Sequence, residues 1–166
     1  MDVSEITDVW MPKALELARQ AAWVDEVPIG ALIVRRGEIL GRGFNFREQS
    51  KRTVAHAEIM ALEDFAQRFG QWRLPPDSAL VVTTEPCLMC TGALLWARAD
   101  HLYYGCRDPK NAGLNLIEPY IELGTFDHRF ATIQGAIREE ECSVLLSEYF
   151  RQKRLQKGLT SPLSAN

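Results

Sequence analysis

The chain has 166 residues, 46% hydrophobic and 25% charged, enough for one domain whose core needs no disulfide or metal staple. Its formal net charge of −3 excludes a protein that coats nucleic acid indiscriminately but leaves room for a local basic patch. No apolar run approaches bilayer length, and Met1-Asp2-Val3-Ser4-Glu5 lacks the basic start and apolar stretch of a secretory signal. The sequence therefore predicts a cytoplasmic protein with no membrane contact, whose four unevenly placed cysteines are thiols.

From Asp8 to about Val24, apolar residues recur at helical spacing, with Met11, Leu15, Ala18 and Ala22 on one face. Val27-Pro28-Ile29-Gly30 breaks this helix, and Ala31 to Val34 is an apolar run too short for another, as in a strand covered on both faces. Arg36-Gly37 supplies a turn, Glu38 to Asn45 returns as the second strand of a hairpin, and Phe46 to Thr53 reads as a loop. Ala57, Ala61, Phe65 and Phe69 predict a helix over Val54 to Phe69. Ala79 to Val82 reads as a buried strand, Cys87 opens a helix to about Ala97, and Leu102-Tyr103-Tyr104 is a further strand before a turn-rich loop from Gly105 to Leu116. A long amphipathic helix from Glu139 to about Gln156 closes a single domain over residues 1–157, with a frayed tail over 158–166. A hairpin followed by alternating helices and strands predicts an α/β fold, a mixed sheet with helices on both faces.

The chemistry centres on Glu85-Pro86-Cys87-Leu88-Met89-Cys90. A lone C-x-x-C is equally a redox dithiol or half of a four-cysteine knuckle, but Cys106 and Cys142 stand alone and form no second half. Upstream lies His56-Ala57-Glu58. One imidazole and two thiolates suit tetrahedral Zn²⁺ with a fourth position open, as in catalytic zinc sites. Zinc in such a site brings the pKa of a bound water to roughly 7, and Glu58 is the natural proton carrier. Residues two apart on an ideal helix point in roughly opposite directions, so His56 and Glu58 can share one site only at an irregular position or first turn. His101 and His128 lack companions at ligand spacing, and Cys106 and Cys142 read as buried small hydrophobes.

The pairing of H-x-E with P-C-x-x-C resembles the signature of the zinc-dependent nucleobase deaminases. Within that cytidine/deoxycytidylate deaminase superfamily the chain is most similar to the bacterial tRNA-specific adenosine deaminases, which convert wobble adenosine of an anticodon to inosine. The resemblance runs from Glu26-Val27-Pro28-Ile29-Gly30-Ala31 through Gly43-Phe44-Asn45, His56 to Leu62, Glu85 to Cys90 and Gly105 to Lys110, ending at Leu145 to Arg151. It implies zinc at His56, Cys87 and Cys90, Glu58 as acid/base, Ile29 and Asn45 around the base, and Asp108 beside the nucleotide with Arg107 and Lys110 as neighbouring contacts. It also implies a three-layer α/β/α sandwich around a five-stranded sheet, and a homodimer with active sites near the interface. The partner implied is the anticodon loop of tRNA, with Arg151 and Arg154 among the basic residues Arg151, Lys153, Arg154 and Lys157 available to its phosphates. One departure stands out: such enzymes often carry D-P-T before A-H-A-E, where this chain has Arg52-Thr53-Val54 before Ala55. Trp96-Ala97-Arg98 also resembles guanine deaminases of the same superfamily, so a free purine is the alternative substrate. A zinc-stabilised RNA-binding module without catalysis is the alternative of a different class, and Glu58 argues against it, because structural zinc has no use for a carboxylate that is not a ligand.

Overall fold

Arg36 and Gly37 both take positive φ, 48° and 79°, as a two-residue hairpin turn requires if it is to match the right-handed twist of its strands. They join β1 (Gly30–Arg35) to β2 (Glu38–Phe44) in an antiparallel pair. The computed structural model describes residues 2–108 and 112–160, with backbone alone at 157–160. β3 (Ala79–Thr84) runs antiparallel to β1 on its other edge, and β4 (His101–Cys106) and β5 (Thr132–Gln134) follow in parallel. The sheet order is β2-β1-β3-β4-β5.

Both faces of this sheet are apolar, which is why β1 and β3 read as continuous hydrophobic runs. Ala31, Ile33, Leu80, Val82, Leu102 and Tyr104 face one core with Ala57, Ala61 and Phe65 of α4 (Ala57–Phe69) and Leu94 of α5 (Leu88–Ala97). Leu32, Val34, Ala79, Val81 and Tyr103 face the other, against an N-terminal helix and Cys142 of a C-terminal one. The three-layer sandwich around a mixed five-stranded sheet is thus the fold. Among the described residues, no helix is long and apolar enough to cross a membrane.

Several elements differ from the sequence expectation, among them α4, which starts at Ala57 rather than Val54. The first helix starts at Val3 rather than Asp8, as α1 (Val3–Glu5), a π-helical turn over Ile6–Trp10 and α2 (Met11–Trp23). Asp2 caps it by accepting the Ser4 N–H at 3.2 Å, and Ile6 and Trp10 are buried in the π-helical turn that follows. Within the expected loop after β2, Arg47–Ser50 forms a short helix, α3. The region beyond Gly105 contains α6 (Leu114–Glu122), masked in sequence by Pro119 within it. β5 is a three-residue edge strand, too short to show alternation. The closing helix, α7 (Glu139–Thr160), extends beyond Gln156; residues 161–166 lie outside the described chain.

Gly43 of β2 sets how closely α4 approaches the sheet. A Cβ there would stand 2.2 Å from the Ala57 carbonyl oxygen and 2.4 Å from the Ala61 nitrogen, so only glycine admits the first turn of α4 this near to the strand.

Candidate metal centre and active site

Antiparallel pairing puts the end of β3 beside the start of β1, where the Gly30 N–H donates to Thr83 Oγ1 at 3.2 Å. Beyond Thr84 the chain is held to the end of β4 by the Glu85 N–H donating to the Cys106 carbonyl at 2.8 Å. The crevice outside the ends of parallel strands is where open α/β sheets place their ligands. Two helices begin there. Cys87 is the N-cap of α5, with φ −70° and ψ 170°, and His56 is the N-cap of α4, with φ −75° and ψ 156°. Neither side chain caps its own helix, so both are free to face one another.

His56 Nδ1 lies 3.7 Å from Cys87 Sγ and 3.7 Å from Cys90 Sγ, and the three ligand atoms all fall within 4.8 Å of one another. A tetrahedron with Zn–S of about 2.3 Å and Zn–N of about 2.0 Å has edges of roughly 3.5–3.8 Å. Donor set and spacing therefore both fit zinc. Residues of this chain supply three corners of that tetrahedron, and among the described residues this is the one cluster of His, Cys, Asp or Glu that meets the spacing for a metal.

The same packing sets the protonation of the metal-free site. The Cys90 thiol donates to Cys87, and with the help of His56 holds it down to about 4. That same hydrogen bond, together with burial, pushes Cys90 up, and the hydrogen bond to Cys87 raises His56. Both cysteines also sit at the N-terminal end of α5, whose exposed N–H groups favour negative charge. Glu58, the second residue of α4, is buried, and burial lifts its carboxyl to about 7. Its carboxyl raises both Cys90 and His56 by its charge, so it acts on the metal cluster without being one of the three grouped donors.

The sequence profile of the cytidine and deoxycytidylate deaminase zinc-binding region matches residues 4–106. The chain belongs to this family. A tRNA-specific adenosine deaminase of Bacillus subtilis (strain 168) is 37% identical over 150 residues, covering 90% of this chain and 92% of its own length. One of Agrobacterium fabrum (strain C58 / ATCC 33970) is 38% identical over 146 residues, 88% and 95% of the two chains. Among solved structures, one from a study of A-to-I editing by tRNA:A34 deaminases at the wobble position superposes with a TM-score of 0.75 at 37% identity, covering 82% of this chain and 97% of that one. Guanine deaminase from Nitrosomonas europaea follows at 0.68 and 25%, covering 84% and 81%. The chain is thus a zinc-dependent deaminase in its family, its fold and its donor set.

The remaining candidates are spread over several elements. Ile29 and Asn45 extend the β1–β2 ladder by one step, the Asn45 N–H donating to the Ile29 carbonyl at 3.0 Å, at the strand end that carries the site. Arg107, exposed, and Asp108, half-buried, follow β4 near enough to Glu85 to act on its carboxyl in opposite senses, although burial dominates and raises it. Lys110 lies outside the described residues. The segment beyond it returns to the metal loop: Ala112 bridges Cys87, and the Gly113 N–H donates to the Pro86 carbonyl at 3.0 Å. A Cβ on Gly113 would stand 2.2 Å from the Leu88 nitrogen, so glycine is required for that approach. Arg151 and Arg154 are exposed on α7, whereas Lys153 between them is paired with Asp25.

One buried carboxylate has partners that the sequence does not reveal. Glu26 is fully buried, and its carboxylate accepts from Asn45 Nδ2 at 2.9 Å and from the Gln49 N–H at 2.7 Å. A glutamate just after a helix reads as surface; nothing in its spacing reveals a partner 19 residues on.

Proposed function

We propose that this chain hydrolytically deaminates adenosine to inosine at the wobble position of a tRNA anticodon. The observation that carries the reading is the convergence of His56, Cys87 and Cys90 within 4.8 Å beside a carboxyl that burial holds near 7. The likeness of the whole chain to adenosine deaminases acting on tRNA supports the substrate. His56 Nδ1 and the two sulfurs hold the metal, and Zn²⁺ bound there supplies an activated water and a Lewis acid. Glu58 takes a proton from the attacking water and delivers it to the amine that leaves C6 as ammonia. One carboxyl serves both transfers, accepting the proton as the carboxylate and giving it up as the acid. The buried surroundings that raise Glu58 also keep bulk water from competing for its proton.

Ile29 and Asn45 flank the flipped base, with Arg107, Asp108 and Lys110 across from them on the segment that leaves β4. An anticodon loop offers its base nearly unpaired, so little unstacking is needed. The basic residues of α7 position the RNA through phosphates without reading sequence. The enzyme is one domain over 1–157, works in the cytoplasm and acts as a homodimer. Trp96 on α5, Leu116 and Tyr120 on α6 and Leu123 at its C-cap are 70%, 60%, 56% and 80% exposed, apolar surface that a second copy would cover. The deciding experiment incubates the zinc-loaded protein with total tRNA and, separately, with free guanine, adenine and cytidine. Inosine in tRNA with no ammonia from the free bases is expected; ammonia from guanine alone would overturn the tRNA reading in favour of a free-purine deaminase.

A further inference from the structure

We propose that Glu26 is a positioning and specificity-determining residue, which fixes the side-chain amide of Asn45 so that Oδ1 is the atom offered to a hydrogen-bond donor of the nucleoside. The inference rests on the placement of Asn45 beside the base in the functional reading above. Glu26 is 0% exposed, and both of its oxygens accept from N–H groups: Oε2 from Asn45 Nδ2 at 2.9 Å and Oε1 from the Gln49 backbone at 2.7 Å. A primary amide can be turned end for end with almost no change in shape, so packing alone cannot choose between its two orientations. Glu26 does choose. With Oδ1 turned inward, two acceptor oxygens would meet in a buried site with no proton between them, and the Nδ2 donor would be turned out in place of Oδ1.

Asn45 is held from two further directions. Its backbone N–H is bound to the Ile29 carbonyl at 3.0 Å, leaving the side-chain torsions as its freedom, and Glu26 removes that. The second Glu26 oxygen anchors Gln49, whose own Nε2 donates to the Val24 carbonyl at 3.0 Å. The short helix α3 after Asn45 is therefore tied to the turn after α2 by the same carboxylate that sets the amide. On the far side of that turn, Tyr149 Oη donates to the Asp25 carbonyl at 3.0 Å and Lys153 pairs with the Asp25 carboxylate. Glu26 stands at the middle of a continuous set of bonds from α7 to the proposed base contact.

The test exchanges the polarity of the pair. Glu26→Gln keeps volume but offers one acceptor where two are needed, so either Asn45 or Gln49 is left without its partner. The double variant Glu26→Gln with Asn45→Asp restores both bonds. The new amide oxygen at position 26 accepts from Gln49, the new amide nitrogen there donates to the carboxylate at position 45, and an oxygen at position 45 remains for the substrate. The total charge of the pair is unchanged. Deamination of a synthetic anticodon stem-loop is measured as kcat and KM, with zinc content and urea midpoint as controls. Glu26→Gln should lower kcat/KM about 10- to 100-fold, the range for a broken buried hydrogen bond, with zinc content unchanged. The double variant should recover most of that activity, which a purely structural role predicts only for the urea midpoint. Glu26→Gln within twofold of wild type, or a folded double variant no better than Glu26→Gln, overturns the proposal. Asn45→Ala separates the two readings: impaired Asn45→Ala with normal Glu26→Gln defeats the Glu26 inference alone, whereas normal Asn45→Ala removes Asn45 from the substrate site and takes the inference with it. A wild type inactive on the stem-loop defeats the functional reading before any variant is compared.

Discussion

His56 stands just outside the helix in which Glu58 is the second residue. Its extended backbone, φ −75° and ψ 156°, lets two side chains that an unbroken helix would splay apart act on the same metal cluster. Glu58 acts on Cys90 by its charge from within the helix while His56 approaches both sulfurs from its cap. The proposed function gives the metal to one residue and the proton to the other, and the two roles separate by substitution. Glu58→Ala should retain zinc and lose turnover by at least the roughly 10²–10⁴-fold of a general acid/base. Single-turnover measurement at saturating substrate decides it; near-normal turnover would remove Glu58 from the chemistry.

The ligand set predicts about one zinc per chain. His56→Ala, Cys87→Ala and Cys90→Ala should each lose metal and activity together, read by atomic absorption after gel filtration. Full occupancy in any one of them would take that residue out of the site.

Much of this was legible in the chain because the site is written in local signals. H-x-E and P-C-x-x-C each stand where a helix opens, and the continuous apolar runs at Ala31–Val34 and Ala79–Val82 could only be strands buried on both faces. What sequence did not reveal depends on distant parts of the chain. α6 holds Pro119, which reads as a break, and β5 exists only because β4 offers it an edge. Leu94, Leu95 and Trp96 are three consecutive apolar residues, yet the first two are core and Trp96 faces outward, because α5 turns each residue by about 100°. The basic run on α7 likewise splits once Lys153 meets Asp25, 128 residues away.

Thiol reactivity in the metal-free protein follows from the hydrogen bond between the two ligand cysteines. Cys87 is held down to about 4, while Cys90 and Cys106 are pushed up and Cys142 reaches about 12, the last two by burial. A lowered pKa keeps the thiolate to lower pH. After chelation, Cys87 should alkylate with iodoacetamide at a rate nearly flat from about pH 5 to 8, since only the thiolate reacts. The other three should be nearly inert until the protein unfolds. Peptide mass spectrometry across that range checks both statements, and zinc should protect Cys87. A Cys87 rate rising tenfold per pH unit up to pH 8 would contradict the assignment.

Assembly is tested on the apolar surface of α5 and α6. Leu116→Glu with Leu123→Glu adds two charges where 60% and 80% of those residues are exposed, so the folded chain should tolerate them while a dimer would bury them unpaired. Sedimentation at micromolar concentration should give a dimer for wild type and a shift to monomer for the variant. A wild type that is monomeric and fully active would remove the homodimer.

The final prediction concerns which cations on α7 meet RNA. Each cation that neutralises a phosphate releases condensed counterions, so the slope of log affinity against log salt flattens by roughly 0.7–0.9 for each such cation removed. Lys153 is committed to Asp25 by an ion pair and a hydrogen bond, and its ammonium lies over the Tyr149 ring at 5.6 Å. Arg151 and Arg154 are exposed and three residues apart, which places them as neighbours on one helix face, able to meet adjacent phosphates of a single strand. Changing both to Gln should therefore flatten the slope by about 1.4–1.8, with base selectivity intact because phosphate contacts do not read bases. Lys153→Gln should leave the slope nearly unchanged but loosen the turn that carries Glu26, and so lower kcat/KM without altering the salt response. Binding of tRNA at four or more salt concentrations, for wild type, the double arginine variant and Lys153→Gln, separates these outcomes. A slope unchanged in the arginine variant would assign both residues to the solvated end of a helix, and a slope change confined to Lys153→Gln would mean that the pair with Asp25 opens when RNA binds.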